Sequence, residues 1–355
     1  MEETVNKSRW GVAVIAAVGA TTLLAGCVGA ADSADGGSAS GSIPVEVLLP
    51  IPEGLAFTPL IVAREQGLFE DADIDLTTAV ADGSGYLSQQ IVAGNVDFAL
   101  MGAADAVVSF SKRDDVRVIF CNQVNNVYRI VAKADSGITS MEDLEGKSLG
   151  YTEPGGGESQ LVSAAIAGAG LVENETITLV PVGPAGPQSL VALQDDTIQA
   201  YSSSFPDVAA LAAEGIEWVD ITPAKYSNVP GACMVTTEDV LSTEEGMAAA
   251  TAVATAWVQA QYFAIENPDE AFEIVCSAIE SACENEDAAK ALYAEALNLI
   301  TPPDGQRPGE LRESSWNTVV EILAATDTVS ADLDITPLIG GENVDAVIAA
   351  AYDGH

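Results

Sequence analysis

The amino-acid sequence predicts a mixed α/β protein: two units of alternating strands and helices, followed by a helical C-terminal part. Three observations carry this reading. Apolar strand patterns alternate with helix patterns over residues 45–120, with only short turns between them. That is the signature of a mostly parallel sheet with helices on both faces. The alternation restarts near Ser140 and runs to about Gly215. From Ser242 onward the chain is Ala-rich and mainly helical. The length agrees, since 355 residues at roughly 150 per domain suit two domains.

Residues 45–49 read as the first strand and 50–57 as a Pro/Gly-rich loop. Thr58 is predicted as an N-cap with Pro59 at the first helical position, and Gly67 ends that helix. A strand at 74–77 leads to the turn Asp82-Gly83-Ser84-Gly85 and a helix from Tyr86 to a stop at Gly94. The third strand is 96–100, Met101 to Asp105 turns into a helix, and 116–120 is the fourth strand. Residues 129–133 read as another strand. In the second unit, Ser140 to Asp143 is a capping-box pattern. Strands fall at 147–150, 178–181 and 199–202, and helices run from about Glu158 to Gly170, over 188–193, and from Pro206 to Gly215. Residues 232–236 are again a strand, and Asn267-Pro268 starts a helix. The order is domain one (43–133), domain two (134–228), then a return to domain one (229–355), with chain crossings near 133 and 228.

Composition removes several classes of function. The 53 Asp+Glu against 13 Lys+Arg give a formal net charge of -40. Nucleic acid and anionic lipid surfaces both need clustered Lys and Arg, so neither is an expected partner. The single histidine, His355, is the last residue. A Ser-His-Asp triad, a histidine base and a multi-histidine metal site therefore lack their key residue. Disorder is excluded by the 48% hydrophobic content. An acidic, lysine-poor surface suits high salt, which screens self-repulsion; an acidic secreted proteome has the same composition.

The N-terminus reads as a processing signal. Lys7 and Arg9 precede an uncharged run over 10–25, too short for a membrane span, which needs ~20 residues, but right for a signal-peptide core. It ends in Leu24-Ala25-Gly26-Cys27, which resembles a bacterial lipoprotein lipobox. The resemblance implies a signal peptide over 1–26, cleavage before Cys27 and diacylglycerol on its sulfur; a secreted protein with an incidental cysteine is the alternative. Twelve of the fifteen residues 28–42 are Gly, Ala or Ser, so 27–42 reads as a flexible tether. Four further cysteines permit two disulfides. Cys276 with Cys283 would close a short loop, leaving Cys121 with Cys233; buried free thiols are the alternative. There is no C-x-x-C spacing, and neither a metal nor a cofactor is expected.

Four segments resemble one family. Pro59-Leu60-Ile61-Val62-Ala63-Arg64-Glu65-Gln66-Gly67-Leu68-Phe69 is similar to its "A-x-x-x-G-x-F" helix. Gln90-Ile91-Val92-Ala93-Gly94-Asn95-Val96-Asp97-Phe98-Ala99 is similar to its "L-x-x-G-x-x-D-x-A" segment, and Gly102 to Ala106 to the loop after it. Ile138 to Gly150 resembles its "I-x-x-x-x-D-L-K-G-K-x-I-G" opening of the second domain. Over about 45–230 the chain thus resembles the substrate-binding components of ABC importers, in the branch for aliphatic sulfonates, taurine, nitrate and thiamine-precursor pyrimidines. The resemblance implies a two-lobed periplasmic-binding-protein-like (type II) fold with a two-strand hinge that closes on a small-molecule solute. It implies a partner permease with its ATPase, and no catalysis. An enzyme of the related pyrimidine-synthesising branch would need an active-site histidine and a cysteine cluster, which this chain lacks. A non-transport sensory or structural lipoprotein on the same fold is the runner-up. The expected protein is a monomer, outside the cytoplasm, held to the outer face of the cell membrane through the lipid on Cys27 only.

In such folds ligands sit beyond the carboxyl ends of strands. The candidates are Phe57 and Thr58 after the first strand, Gly83 and Ser84 after the second, and Met101, Gly102 and Asp105 after the third. Asn125 and Tyr128 lie at the first crossing. Thr152, Gly156, Gly157, Glu158 and Ser159 form a glycine-rich helix start able to cradle an anion; in the family the matching loop binds a sulfonate-like head group. Glu158 departs from that pattern, because its carboxylate would repel an anion unless it faces solvent. If it faces the cleft, the ligand is an amine or aminopyrimidine. Ser203 and Phe205 complete the set. Each has a plainer reading, as core packing for Phe57, turn formation for the glycines, and helix capping for Ser203. Arg129 could pair an anionic ligand, but reads better as lying beside acidic neighbours.

Overall fold

In the computed structural model the described residues are 41–81 and 83–353. The expected signal segment, Cys27 and all of the tether but its last two residues lie outside them, as does Asp82.

The chain first builds β1 (Ile43–Leu49), α1 (Thr58–Glu65), the single turn α2 (Leu68–Asp71), β2 (Ile74–Val80), α3 (Gly83–Ala93), β3 (Phe98–Gly102), α4 (Ala103–Lys112) and β4 (Val116–Cys121). It then crosses and forms β5 (Tyr128–Lys133), β6 (Ser148–Tyr151), α5 (Ser159–Gly168), β7 (Thr178–Pro181), α6 (Pro187–Gln194), β8 (Ala200–Ser204), α7 (Phe205–Ala213) and β9 (Trp218–Asp220). It returns as β10 (Ala232–Thr237) and α8 (Glu238–Leu241). The helical tail is α9 (Glu244–Glu266), α10 (Pro268–Ala278), α11 (Glu286–Ile300), α12 (Glu313–Ala324), α13 (Thr336–Ile339) and α14 (Glu342–Ala351).

Two five-stranded sheets result, with orders β2-β1-β3-β10-β4 and β7-β6-β8-β5-β9. Strands joined through helices pair in parallel, as the alternation predicts. The exceptions are the strands that follow a crossing. β10 is antiparallel to both β3 and β4, and β5 to both β8 and β9, because each enters its sheet from the opposite end.

Local signals act mostly as read. Gly67 and Gly94 stop their helices in the left-handed conformation, at φ 73° and 69°, where a Cβ would be strained. Thr58 does not cap: it is already helical, and its hydroxyl donates to the Leu55 carbonyl at 2.8 Å. Residues 83–85, read as a turn, are the first residues of α3. Met101 and Gly102, read as a loop, are the end of β3.

Two boundaries of the sequence reading are corrected. β5 was assigned to domain one but pairs in the second sheet, so the first crossing is 122–127 rather than near 133. A strand pattern marks a strand, while its sheet is chosen by tertiary pairing. The tail, assigned wholly to domain one, reaches both lobes. α11 packs on α7, and α12 packs on both α4 and α5. Trp316 and Val319 of α12 share one core with Met101 and Val118 of the first sheet and Leu149 and Ile166 around the second.

Disulfides join Cys121 to Cys233 and Cys276 to Cys283. The first links facing residues of β4 and β10 at the root of both crossings.

Candidate functional site

A cavity of about 640 Å³ lies between the two sheets, at the carboxyl ends of their parallel strands. The first lobe supplies Pro50 to Pro52, Ala56 and Phe57 after β1, Val80 and Ala81 at the end of β2, Gly83 and Ser84 of α3, and Gly102 of β3. The second lobe supplies Tyr128, the Thr152–Glu158 loop, Pro184, and Ser203 to Asp207. Gln123 and Val127 come from the first crossing. A second hollow of about 530 Å³ sits beside the amino ends of β1 and β3 and draws its walls from the first lobe alone. Ligands in open α/β sheets bind at the other end, so the interlobe cavity is the candidate.

Its walls are held from behind. Glu53 accepts two hydrogen bonds from Arg64, at 2.6 and 2.8 Å, and one from Thr78 at 2.5 Å, which fixes the 50–57 loop. The Arg64 guanidinium holds the Glu53 carboxyl below its usual range. Gln123 donates to the Ala56 carbonyl at 3.2 Å and accepts from the Ala232 backbone at 3.1 Å. Asn122 beside it accepts from the Trp257 indole at 2.8 Å, so helix α9 braces the first crossing.

The glycines permit close approach of the lobes. A Cβ on Gly85 would sit 2.5 Å from the Gly155 carbonyl oxygen, so the first turn of α3 and the 152–158 loop meet there. A Cβ on Gly157 would sit 2.7 Å from Cζ of Tyr128 and closer still to its hydroxyl. Only hydrogen fits at either position. A Cβ on Gly102 would be 3.3 Å from the Tyr128 hydroxyl and 3.4 Å from Asp105 Oδ2. The tyrosine hydroxyl therefore rests between Gly102 of the first lobe and Gly157 of the second.

Around it the electrostatics are one-sided. Glu158 is 3% exposed and lines the cavity. Its Oε1 accepts from the Thr152 backbone N–H at 2.8 Å and from the Thr152 hydroxyl. Burial pushes its carboxyl above the usual range and Asp207 adds to this, against the Thr152 hydrogen bonds. Asp105 Oδ2 is shut off from solvent and has no hydrogen-bond partner. Burial pushes the Asp105 carboxyl up to about 7, with the Glu158 carboxylate as the second cause and Lys112 opposing. The Tyr128 hydroxyl is raised well above its ordinary value by burial, then by Asp105 and Glu158, with Ser84 opposing. No lysine, arginine or histidine lines the cavity among the described residues.

Eleven of the sixteen sequence candidates line this cavity: Phe57, Gly83, Ser84, Gly102, Tyr128, Thr152, Gly156, Gly157, Glu158, Ser203 and Phe205. Glu158 is turned inward, its carboxylate held by the backbone and hydroxyl of Thr152. Phe57 serves twice, as wall and as core. Ser203 also donates to Asp207 at 2.5 Å. Five candidates do not reach the wall. Thr58 is tied to Leu55, Met101 is buried in the core, Asn125 lies outside the lining, and Ser159 donates to the Glu153 carbonyl at 3.4 Å. Asp105 sits one layer beneath. Arg129 pairs with Glu295 at 2.5 Å and Asp220 at 3.7 Å, away from the cavity. The sequence reading missed Gln123, Pro184 and Asp207. Pro184 follows β7 in a Gly-Pro-rich turn, the kind of loop that supplied the other candidates, so a signal existed.

Two α/β lobes joined by two crossings around a cleft define the class: this is a periplasmic-binding-protein fold. Residues 55–271 match the NMT1/THI5-like family, and the chain belongs to it. Among curated proteins, one of Brucella abortus named "Putative binding protein" is 25% identical over 252 residues, covering 68% of this chain and 74% of its own. The fold is shared with a protein from Bordetella bronchiseptica (TM-score 0.69, 22% identity, 86% of this chain and 96% of that one). It is shared too with the nitrate-binding protein NrtA of Synechocystis (0.64, 15%, 88% and 89%). The periplasmic aliphatic sulphonate binding protein SsuA of Escherichia coli is a further neighbour (0.62, 13%, 84% and 92%).

Proposed function

We propose that this chain is the extracytoplasmic solute-binding component of an ABC importer, lipid-anchored through Cys27, and that it captures a small organic amine or aminopyrimidine for delivery to a permease. It does no chemistry of its own. The lobes are 43–121 with 232–355, whose helices α11 and α12 also pack on the second lobe, and 128–220, hinged at the two crossings between them.

The observation that carries the ligand class is the buried Glu158 carboxylate on a cavity without a basic side chain. An anion there would meet a carboxylate and no cation, and burying it unpaired is costly. The mostly apolar walls, with Phe57, Val127, Phe205 and four prolines, suit a ring or short hydrocarbon body. The family match and the sulphonate- and nitrate-binding neighbours support solute capture. Their anionic ligands are the outcome this lining disfavours.

The test is a thermal-shift screen of sulfonates, nitrate, carboxylates, amines and aminopyrimidines, followed by calorimetry on Glu158→Gln. Hydrogen bonds to charged groups contribute about 1.5–3 kcal/mol, so the variant binds amines roughly 10- to 100-fold more weakly and binds anions better. Unchanged affinity would remove Glu158 from the site. A sulfonate hit with no amine hit would reverse the ligand class.

A further inference from the structure

We propose that Asp105 and Glu158 work as one exchange site: with the lobes in contact, this pair holds one proton below neutral pH, and a bound solute brings one positively charged nitrogen that replaces it. This rests on the amine reading above and deepens it, because it fixes the solute's charge at one.

The argument begins with position. Asp105 is in the first turn of α4, in the first lobe, and Glu158 immediately precedes α5, in the second. The Tyr128 hydroxyl lies beside Gly102 and Asp105 Oδ2 of the first lobe and beside Gly157, the residue before Glu158, of the second. There Gly102 and Gly157 leave just enough room for it. Neither acid has a basic partner. Asp105 Oδ2 is without any hydrogen bond, and Glu158 has Thr152 as its hydrogen-bonding neighbour. The charged groups around them are few. Lys112, at the far end of α4, opposes the effect on Asp105, while Asp207 of α7 reinforces that on Glu158. The other titratable neighbours are Tyr128 of β5, Tyr151 of β6 and Tyr201 of β8, and from α12 the apolar Trp316 and Val319 pack on this core.

Two like charges buried together disfavour each other's ionisation. Burial without a hydrogen-bond partner is the first reason Asp105 keeps its proton, and the Glu158 carboxyl, held by Thr152, is the second. A cationic nitrogen against Glu158 offsets the second of these, and its positive charge favours the ionised form of Asp105 beneath it, which then gives up its proton. One O–H bond breaks, the proton leaves to the buffer, and the solute's charge takes its place. Asp105 is thus a positioning residue. It does not line the cavity, yet it sets how much charge the cavity holds.

The single histidine makes the test direct. Near pH 7 a native chain with one histidine and one α-amino group has almost no other titrating groups. Potentiometric titration of the full chain between pH 5.5 and 8.5 is expected to give one proton equivalent more for wild type than for Asp105→Asn. Glu158→Gln is expected to keep that equivalent and move it to lower pH. Repeating the wild-type titration with benzylammonium, choline and 4-aminopyrimidine, each at millimolar concentration, is expected to abolish the extra equivalent with at least one of them. Identical curves for wild type and Asp105→Asn overturn the inference. So does an extra equivalent that survives every cation. Benzenesulfonate stabilising the protein while no cation does would instead sink the amine reading itself.

Discussion

The Cys121–Cys233 disulfide gives the sharpest quantitative expectation. It spans 112 residues of sequence, which include the whole second lobe, whereas Cys276–Cys283 spans 7. If a cross-link stabilises mainly by restricting the unfolded chain, the gain grows with the logarithm of loop length. The longer loop is then worth about 4.8 kcal/mol and the shorter about 2.4 kcal/mol at 25 °C. The perturbation is a pair of double variants, Cys121→Ala with Cys233→Ala, and Cys276→Ala with Cys283→Ala. Equilibrium unfolding in guanidinium chloride, read as midpoint and slope, gives the two losses. The first is expected to be about twice the second, and larger if the emptied, fully buried Cys121 and Cys233 sites also leave a cavity. Because the effect acts on the unfolded chain, the folded variant is expected to bind its ligand as wild type does. Equal losses from the two pairs would refute the loop-length argument. A large fall in affinity of the folded Cys121→Ala, Cys233→Ala variant would refute its assignment to the unfolded state.

Other expectations follow from close contacts and from charge. Gly157→Ala drives a methyl group into the Tyr128 hydroxyl and is expected to cost about 1–3 kcal/mol in thermal unfolding; adding Tyr128→Phe recovers part of this, and no recovery would place the clash elsewhere. Gly85→Ala meets the Gly155 carbonyl across the cleft, so it is expected to push the lobes apart, lowering both ligand affinity and the melting temperature. For pH, the Asp105 carboxyl is raised from 3.8 to about 7. A raised acid contributes stability that is present at low pH and lost as pH rises through its folded value. Wild type is therefore expected to lose about 3 kcal/mol relative to Asp105→Asn between pH 5 and pH 8.5, at about 1.4 kcal/mol per pH unit up to pH 7. Parallel stability curves for the two proteins would contradict this.

Most of the fold was legible because it is written in local code. Pro59, Gly67, Gly94, Gly170 and the alternating apolar runs are decided by backbone conformation and burial, and strands and helices fall within a few residues of where they read. What was not legible depends on tertiary partners. Nothing in the three residues Trp218–Asp220 announces a strand; β9 exists because the edge of β5 is open. The 129–133 pattern fits either sheet, and only pairing with β8 settles it. The site shows the same division. Loops after strands were found because chain position defines them. For Glu158 the sequence leaves two readings open, a cleft carboxylate and a solvated partner of the helix dipole, and only the folded chain decides for the cleft. Asp105 is the counterpart: its side chain was read as cleft lining, while Tyr128 and Gly102 close over it.

The tail changes what closure of this cleft involves. A hinge with free lobes would swing about 122–127 and 221–231 alone. Here α11 packs on α7 and α12 on α5, and a small apolar cluster joins Ala56, Val127 and Phe205 to Ala296 and Leu299. Polar ties run the same way. Arg129 of the second lobe pairs with Glu295 of α11 at 2.5 Å, and Thr328 of the tail donates to Gln160 of α5 at 3.0 Å. A wide opening would break these contacts together. Opening confined to the Gly85–Gly155 lips would leave them intact, because that contact comes from α3 and the 152–158 loop alone. Small-angle scattering is therefore expected to show only slight compaction on ligand saturation, with hydrogen exchange slowing at residues 83–87 and 152–158 and hardly at all in α11 and α12. Strong protection of those two helices by ligand would mean that they part from the second lobe in the empty state. The tail would then be a moving element of the hinge and not a strap across it.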